Sequence, residues 1–371
     1  MRQTMRILIF MNNMDAGGAE YLALDLTREL VANRAEVIIA SARPGGRLLG
    51  QFEQSASKVY AGLAPSRLSL AGPWRVAKII KQHRIDIVIV LDVIRTGMFH
   101  ALLGSGSSGR GLKRILWAHT VPGRHEGRAD GFLLRLIEKC RLLDATICVS
   151  EYLANELTRM GMCNHVMAVH NGIDVDSFAR ATAAEASEAK KHRIICVANF
   201  MPHKDYPTLL KAAGIMATKR DDLELICVGR GTDSERFGML ARKYGAAGVL
   251  RPLGEREDVP NLLKSADVFV LATLRETFGL AVVEAMAASL PVVTTDVPAF
   301  VEVFTDGVEG LKTPARSSDR LAAAVERVID NPSLAMSLAS KGARRAHMFD
   351  RRKMLERWMR IIRTLAPRSE C

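Results

Sequence analysis

Short β-branched and aliphatic runs alternate with helical patterns from one end of the chain to the other, which restricts it to βαβ units with parallel sheets. The first half offers RILIFM (6–11), EVIIAS (36–41), KVYAG (58–62), DIVIVL (86–91), RILWAH (114–119), ATICVS (145–150) and HVMAVH (165–170). The second repeats the logic with RIICVA (193–198), LELICVG (223–229), GVLRPLG (248–254), DVFVLA (267–272), PVVTTD (291–296) and GLKT (310–313). Between them, 179–192 (ARATAAEASEAKKH) is poor in large apolar residues and reads as a linker. Residues 317–365 hold helix formers with almost no strand signal, so at least two terminal helices are expected, the last over roughly 351–364. At 371 residues the chain suits two domains of roughly 150 to 200 residues each. The expected organisation is a Rossmann-like domain over 1–178, a second over 179–345, and a basic helix over 346–371 that crosses back onto the first.

Hydrophobic residues make up 48% of the chain and aromatics only 5%, so the core is aliphatic, as suits strands covered by helices on both faces. The six cysteines (Cys140, Cys148, Cys163, Cys196, Cys227, Cys371) are scattered and form no C-x-x-C pair. They read as small hydrophobes in a reducing compartment rather than disulfides or a zinc site. The apolar run in MRQTMRILIF is too short for a signal peptide, and no stretch reaches the ~18 apolar residues of a spanning helix. A cytoplasmic protein is expected, with peripheral contact at the inner face of the plasma membrane.

Net charge is +12, and the excess is local: residues 1–175 and 341–371 each carry a surplus of seven positive charges, whereas 176–340 is slightly acidic. Such surfaces suit anionic lipid headgroups, at about 1 kcal/mol per Lys or Arg. Nucleic acid is disfavoured, because the basic residues are not interleaved with aromatics and no binding motif appears.

Two facing Rossmann-like units create a deep cleft at the carboxyl ends of their strands, where ligands of such sheets bind. After the first strand, Gly17 and Gly18 open a helix without the G-x-G-x-x-G spacing of a dinucleotide site, so hydride transfer is disfavoured. The amide groups at that helix start still suit a phosphate. The most specific string is RETFGLAVVEAMAASLPVV (275–293), in which Glu276 follows a strand and Glu284 lies eight positions later. The intervening Phe278, Gly279 and Leu280 put three backbone amides at a helix amino terminus, a seat for a diphosphate. Ionised Glu276 and Glu284 are acceptors suited to paired hydroxyl donors.

ETFGLAVVE is similar to the E-x7-E motif of retaining glycosyltransferases of the GT-B fold, most closely glycosyltransferase family 4. The resemblance extends to AGGAE (16–20), the histidine ending WAH at 119, CVS (148–150), HNGID (170–174), Lys204 and LKSADVFVLAT (263–273). It implies a donor site, to which Gly17 and Thr277 also belong, in which Gly18 approaches the phosphates, Lys204 neutralises the diphosphate leaving group, Glu276 contacts the transferred sugar, and Glu284 holds the ribose. Phe278, Gly279 and Leu280 would complete the phosphate cradle, and His119 would stand beside the donor sugar and the acceptor as a catalytic residue with Lys204 and Glu276. The donor would be a UDP- or GDP-sugar, with no cofactor, and the acceptor a glycan or lipid-linked glycan of cell-surface polysaccharide, lipopolysaccharide or glycolipid synthesis.

One position departs from the family pattern. Asn199 stands where members commonly carry an arginine ahead of the lysine. At an effective dielectric near 20, a charge pair about 4 Å apart is worth about 4 kcal/mol, so a substitute such as Arg230 or Arg275 is expected. Asp174-Val175-Asp176 is the only Asp-x-Asp triplet, reads as a helix-start turn, and leaves no metal site expected. Catalysis would then be metal-independent, with retention of anomeric configuration. Acceptor contacts are expected from Arg124, His125 and Arg128 in the polar loop after His119, and GSGSSGRG (104–111) reads as a flexible surface loop. The competing readings are a catalytically weakened homologue that binds a nucleotide sugar or a partner without turnover, and a two-domain epimerase or phosphorylase.

Overall fold

All thirteen runs fold as strands: the central ones are apolar and buried on both faces, whereas those at Lys58–Tyr60, Val166–Ala168 and Leu250–Gly254 lie at or near sheet edges and are only partly buried. The computed structural model describes residues 4–64, 71–92, 111–121, 137–162, 165–183 and 191–365. These divide into two compact units, Met1–Asn171 with Arg352–Cys371, and Gly172–Arg351.

In the first unit, β1 (Arg6–Met11), β2 (Glu36–Ser41), β3 (Lys58–Tyr60), β4 (Ile87–Leu91), β5 (Lys113–Ala118), β6 (Ala145–Cys148) and β7 (Val166–Ala168) form one sheet in the order β3-β2-β1-β4-β5-β6-β7. Every pairing is parallel, with Ile7 opposite both Val37 and Ile87. The helices α1 (Gly18–Ala32), α2 (Leu49–Ser55), α3 (Ala71–His83) and α4 (Glu151–Arg159) are interleaved with the strands. Ile7, Leu8, Ile9 and Phe10 of the central strand are fully buried.

In the second unit the helices are α5 (Val175–Arg180), α6 (Tyr206–Ala217), α7 (Glu235–Lys243), α8 (Val259–Lys264), α9 (Leu280–Ala287), α10 (Phe300–Val303), α11 (Ser318–Ile329) and α12 (Pro332–Ala346). The strands β8 (His192–Val197), β9 (Leu223–Val228), β10 (Leu250–Gly254), β11 (Val268–Leu271), β12 (Val292–Thr295) and β13 (Leu311–Thr313) run β10-β9-β8-β11-β12-β13, again all parallel. In both sheets the chain first winds outward from the central strand and then restarts on its other side. The reversal lies between β1 and β4 in one unit and between β8 and β11 in the other, and a crevice at the carboxyl ends is the usual ligand seat at such a point.

Residues 172–178, expected in the first domain ahead of the linker at 179–192, group with the second unit. The Ile173 N–H bonds to the Phe349 carbonyl at 3.0 Å and the Arg351 N–H to the Ile173 carbonyl at 2.8 Å. Asp174 caps α5 by accepting the Ser177 N–H at 3.1 Å and pairs with Arg351 at 3.0 Å. The last helix, α13 (Arg351–Leu365), buries Met354, Trp358, Met359 and Ile362. Its Trp358 ring lies 4.6 Å from that of Trp117 on β5 in the same unit. Cys148, Cys196 and Cys227 are buried, as apolar strand positions require, but Cys140 is exposed in the turn before β6. The 104–110 part of the glycine-serine run lies outside the described residues. No described helix is long and apolar enough to cross a membrane.

Candidate functional site

The chain reversal in the second unit brings Lys204, six residues beyond the β8–loop junction at Ala198, beside Glu276 beyond β11. The Lys204 ammonium and the Glu276 carboxylate form a direct ion pair, both side chains being mostly shielded from solvent. Thr273 sets this geometry. Its buried hydroxyl lies 3.0 Å from both the His203 and the Arg275 carbonyls, and the Leu274 N–H donates to the His203 carbonyl at 2.8 Å. Thr273 is held in turn by the Thr295 hydroxyl, which accepts its N–H at 2.8 Å and donates to its carbonyl at 2.6 Å. The loops bearing the lysine and the glutamate are thus tied together through their neighbours, and sequence reasoning, which stopped at the charged residues, did not single out Thr273.

The helix of the glutamate motif begins two residues later than expected. Leu280 is the first residue of α9 and Gly279 its N-cap, in the left-handed region at φ 96°. A β-carbon at Gly279 would fall 2.5 Å from the Phe300 ring, so both the conformation and the space require glycine. Phe278 is buried with its ring 5.3 Å from that of Phe349, and anchors the turn ahead of the cap rather than lying within the helix. Glycine supplies no side-chain cap, and its carbonyl takes the Val282 N–H at 3.0 Å, which leaves the Leu280 and Ala281 amides to whatever approaches the helix start. Thr277, Gly279 and Leu280 remain partly exposed. Glu284 is the single ionisable residue of the otherwise apolar α9, and burial raises its carboxyl from 4.5 to about 7.

Asn199 does not stand idle in place of a charge. Its side-chain oxygen accepts the Arg230 N–H at 2.9 Å, while the Phe200 N–H donates to the Arg230 carbonyl at 2.8 Å. The loops after β8 and β9 are stitched across the Arg230 peptide. The Arg230 guanidinium is about half-exposed and sits 3.8 Å from Glu255. Gly229, at φ 139°, lets the loop pass where a β-carbon would meet the Ala198 carbonyl at 2.2 Å.

In the first unit, Gly17 is the N-cap of α1 and Gly18 its first residue, just beyond β1 at the reversal between β1 and β4. His119 follows β5 and is buried, its ring 5.1 Å from that of Trp117. Burial lowers its pKa from 6.5 to about 4, an effect that the nearby Asp92 carboxylate only partly opposes. The imidazole is therefore neutral near pH 7. Asp92, in the left-handed region at φ 71°, accepts the Thr120 hydroxyl at 2.8 Å. It was missed in the sequence, although its place immediately after a fully buried strand was a usable signal. Arg124, His125 and Arg128 lie outside the described residues. Among the described residues no cluster of three or more His, Cys, Asp or Glu is placed to hold a metal ion.

The chain matches the family described as Glycosyltransferase Family 4 over residues 16–177 and that described as Glycosyl transferases group 1 over residues 178–345. A phosphatidyl-myo-inositol mannosyltransferase of Mycolicibacterium smegmatis is 31% identical over 225 residues, 59% of this chain and 57% of the mannosyltransferase. The chain thus spans a little over half the length of that relative. An uncharacterised glycosyltransferase of Haemophilus influenzae is 21% identical over 95% of this chain and 98% of its own length. Among solved structures, Anabaena HepE in complex with UDP and glucose superposes with a TM-score of 0.82 at 19% identity, covering 97% of this chain and all of the other. Sucrose-phosphate synthase from Thermosynechococcus elongatus does so with a TM-score of 0.83 at 18% identity, covering 97% and 99%.

Proposed function

We propose that this chain, which belongs to glycosyltransferase family 4 and has the GT-B fold, moves a hexose-type sugar from a UDP- or GDP-sugar to a glycan or lipid-linked glycan, with retention of anomeric configuration and without a metal. The observation that carries this is the Lys204–Glu276 pair at the carboxyl ends of β8 and β11, beside the uncapped start of α9. A cation and a helix amino terminus at one sheet reversal form a ready anion seat.

In the proposed reaction the bond from the anomeric carbon to the diphosphate oxygen breaks, and an acceptor hydroxyl forms the new bond on the same face. The acceptor proton passes to the departing phosphate oxygen. Lys204 and the first amides of α9 stabilise the charge that grows on that oxygen, which is the step where fixed positive groups contribute most. Glu276, released from Lys204 when the diphosphate arrives, accepts hydrogen bonds from sugar hydroxyls. Glu284 accepts them from the ribose diol. His119, neutral and buried, can accept or donate a hydrogen bond to a sugar without adding charge.

The acceptors and ligands named for similar proteins support this choice. They include a phosphatidylinositol acceptor in the mannosyltransferase, UDP and glucose in HepE, and a diphospho-undecaprenol acceptor in a Campylobacter jejuni N-acetylgalactosaminyltransferase that is 25% identical over 46% of this chain. A lipid-linked acceptor places the working enzyme at the inner face of the plasma membrane.

The test is donor-dependent release of UDP or GDP from a panel of nucleotide sugars with chelator present, together with the Lys204→Ala variant. Removing one fixed donor of this type costs about 10²- to 10³-fold in kcat. Release that requires added magnesium, or that survives Lys204→Ala undiminished, would overturn the proposal.

A further inference from the structure

A concavity lies at the opposite end of the first sheet from Asp92 and His119. It is a cavity of about 810 Å³ at the amino-terminal ends of β5, β6 and β7, closed on one side by the last turns of α13. That volume falls in the range of small-molecule sites, about 300–1,000 Å³. None of its lining residues belongs to the proposed transfer machinery.

Its lining combines two chemistries. Lys113 contributes a cation that Asp144 neutralises at 3.0 Å. Arg141 and Arg360 also line the cavity, both exposed, and neither guanidinium has an ion-pair partner among the described residues. His165 adds an imidazole. Between these lie Met167, Ile361 and Leu365, and Met167 is an exposed large hydrophobic residue at the sheet edge. Arg141 and His165 hold left-handed backbone conformations, at φ 49° and 45°. Two of the few non-glycine residues with positive φ therefore line this one cavity, and such conformations persist only where the surroundings enforce them.

A guanidinium fork matches phosphate oxygens in geometry as well as charge. A soluble anion would use the arginines and leave the apolar wall wet, and an apolar ligand would leave the arginines uncompensated. A molecule with an anionic head and an apolar tail satisfies both. We propose that this cavity is a seat for a single anionic phospholipid, its phosphodiester against Arg141 and Arg360 and part of an acyl chain along Met167, Ile361 and Leu365. The basic surplus of residues 341–371, which includes Arg360, favours the approach of an anionic surface. The assignment rests on the inner-membrane reading above and gives it a definite residue set.

The test uses the full chain and needs no enzymatic activity. Flotation with phosphatidylcholine vesicles, with and without phosphatidylglycerol, is compared for the wild type, for Arg141→Gln/Arg360→Gln, and for Arg327→Gln/Arg344→Gln, which removes the same charge from exposed positions elsewhere. All four positions are surface arginines, and circular dichroism checks that each variant folds. The wild type should bind only the phosphatidylglycerol vesicles. The cavity variant should lose affinity about five-fold per arginine, the equivalent of ~1 kcal/mol each, whereas the control pair should lose less than two-fold. Short-chain phosphatidylglycerol, but not glycerol phosphate, should raise the Tm of the wild type. Equal losses in the two double variants would assign binding to net charge and overturn the site while leaving membrane association standing. No binding by the wild type would overturn both and leave sugar transfer untouched. Stabilisation by glycerol phosphate equal to that by the lipid would make this a soluble-anion site and also overturn the assignment.

Discussion

The side-chain oxygen of Asn199 accepts the backbone N–H of Arg230 at 2.9 Å, so the residue that replaces a family arginine joins the loops after β8 and β9. A carbonyl-type oxygen suffices for this bond. Asn199→Asp should therefore keep it, whereas Asn199→Ala should lose about 0.5–1.5 kcal/mol of stability and raise the donor KM through a loosened loop. Urea denaturation and donor titration of both variants check this. Equal behaviour of Asp and Ala would show that the bond does not order the loop.

Thr273 ties the Lys204 loop to the Glu276 loop from a fully buried position. Thr273→Val preserves shape but removes the single hydroxyl proton shared by the two carbonyls, and because the His203 carbonyl keeps the Leu274 N–H the cost is that of one hydrogen bond, about 0.5–1.5 kcal/mol. Because the two charged residues would lose their register, kcat should fall more than KM rises. Thr273→Ser, which keeps the hydroxyl, should restore most of the loss in both measurements.

Glu284 has its carboxyl raised from 4.5 to about 7 by burial. The folded state thus holds this proton more tightly than the unfolded chain. That contribution to stability is fully present below about 4.5 and is lost as pH rises through about 7. Glu284→Gln should accordingly stabilise the protein at pH 8, by up to about 3 kcal/mol at 1.36 kcal/mol per pKa unit, and leave it unchanged near pH 4. The same variant should weaken nucleotide binding. Wild-type affinity should itself fall as pH drops below about 7, because the ribose hydroxyls need the ionised acceptor. Thermal melts and nucleotide titrations across this range measure both effects.

His119 has the opposite sign. Its pKa falls from 6.5 to about 4 on folding, so its contribution to stability is present above 6.5 and is lost as pH falls through 4. His119→Gln should flatten the dependence of Tm on pH between 6.5 and 4 and change it little at pH 8. An unaltered acid slope in the variant would assign that lability to other groups.

Strand positions were visible in the chain because a parallel strand covered on both faces must be a continuous apolar run, and each such run carries its own record of burial. The glutamate motif was visible because a loop that leads from a strand into a helix draws two acidic residues and a glycine together at short spacing, whereas Lys204 stood out only through the resemblance to family 4. The order of the strands was not visible. Placing β8 beside β11, which joins Lys204 to Glu276 across 72 positions, is decided by packing among elements far apart in sequence. The task of Asn199, the closeness of Asp92 to His119, the packing of Phe278 against Phe349 and the cavity at the amino-terminal ends of β5 to β7 have the same origin. Local patterning records which face of an element is covered, and only the assembled sheet determines what covers it.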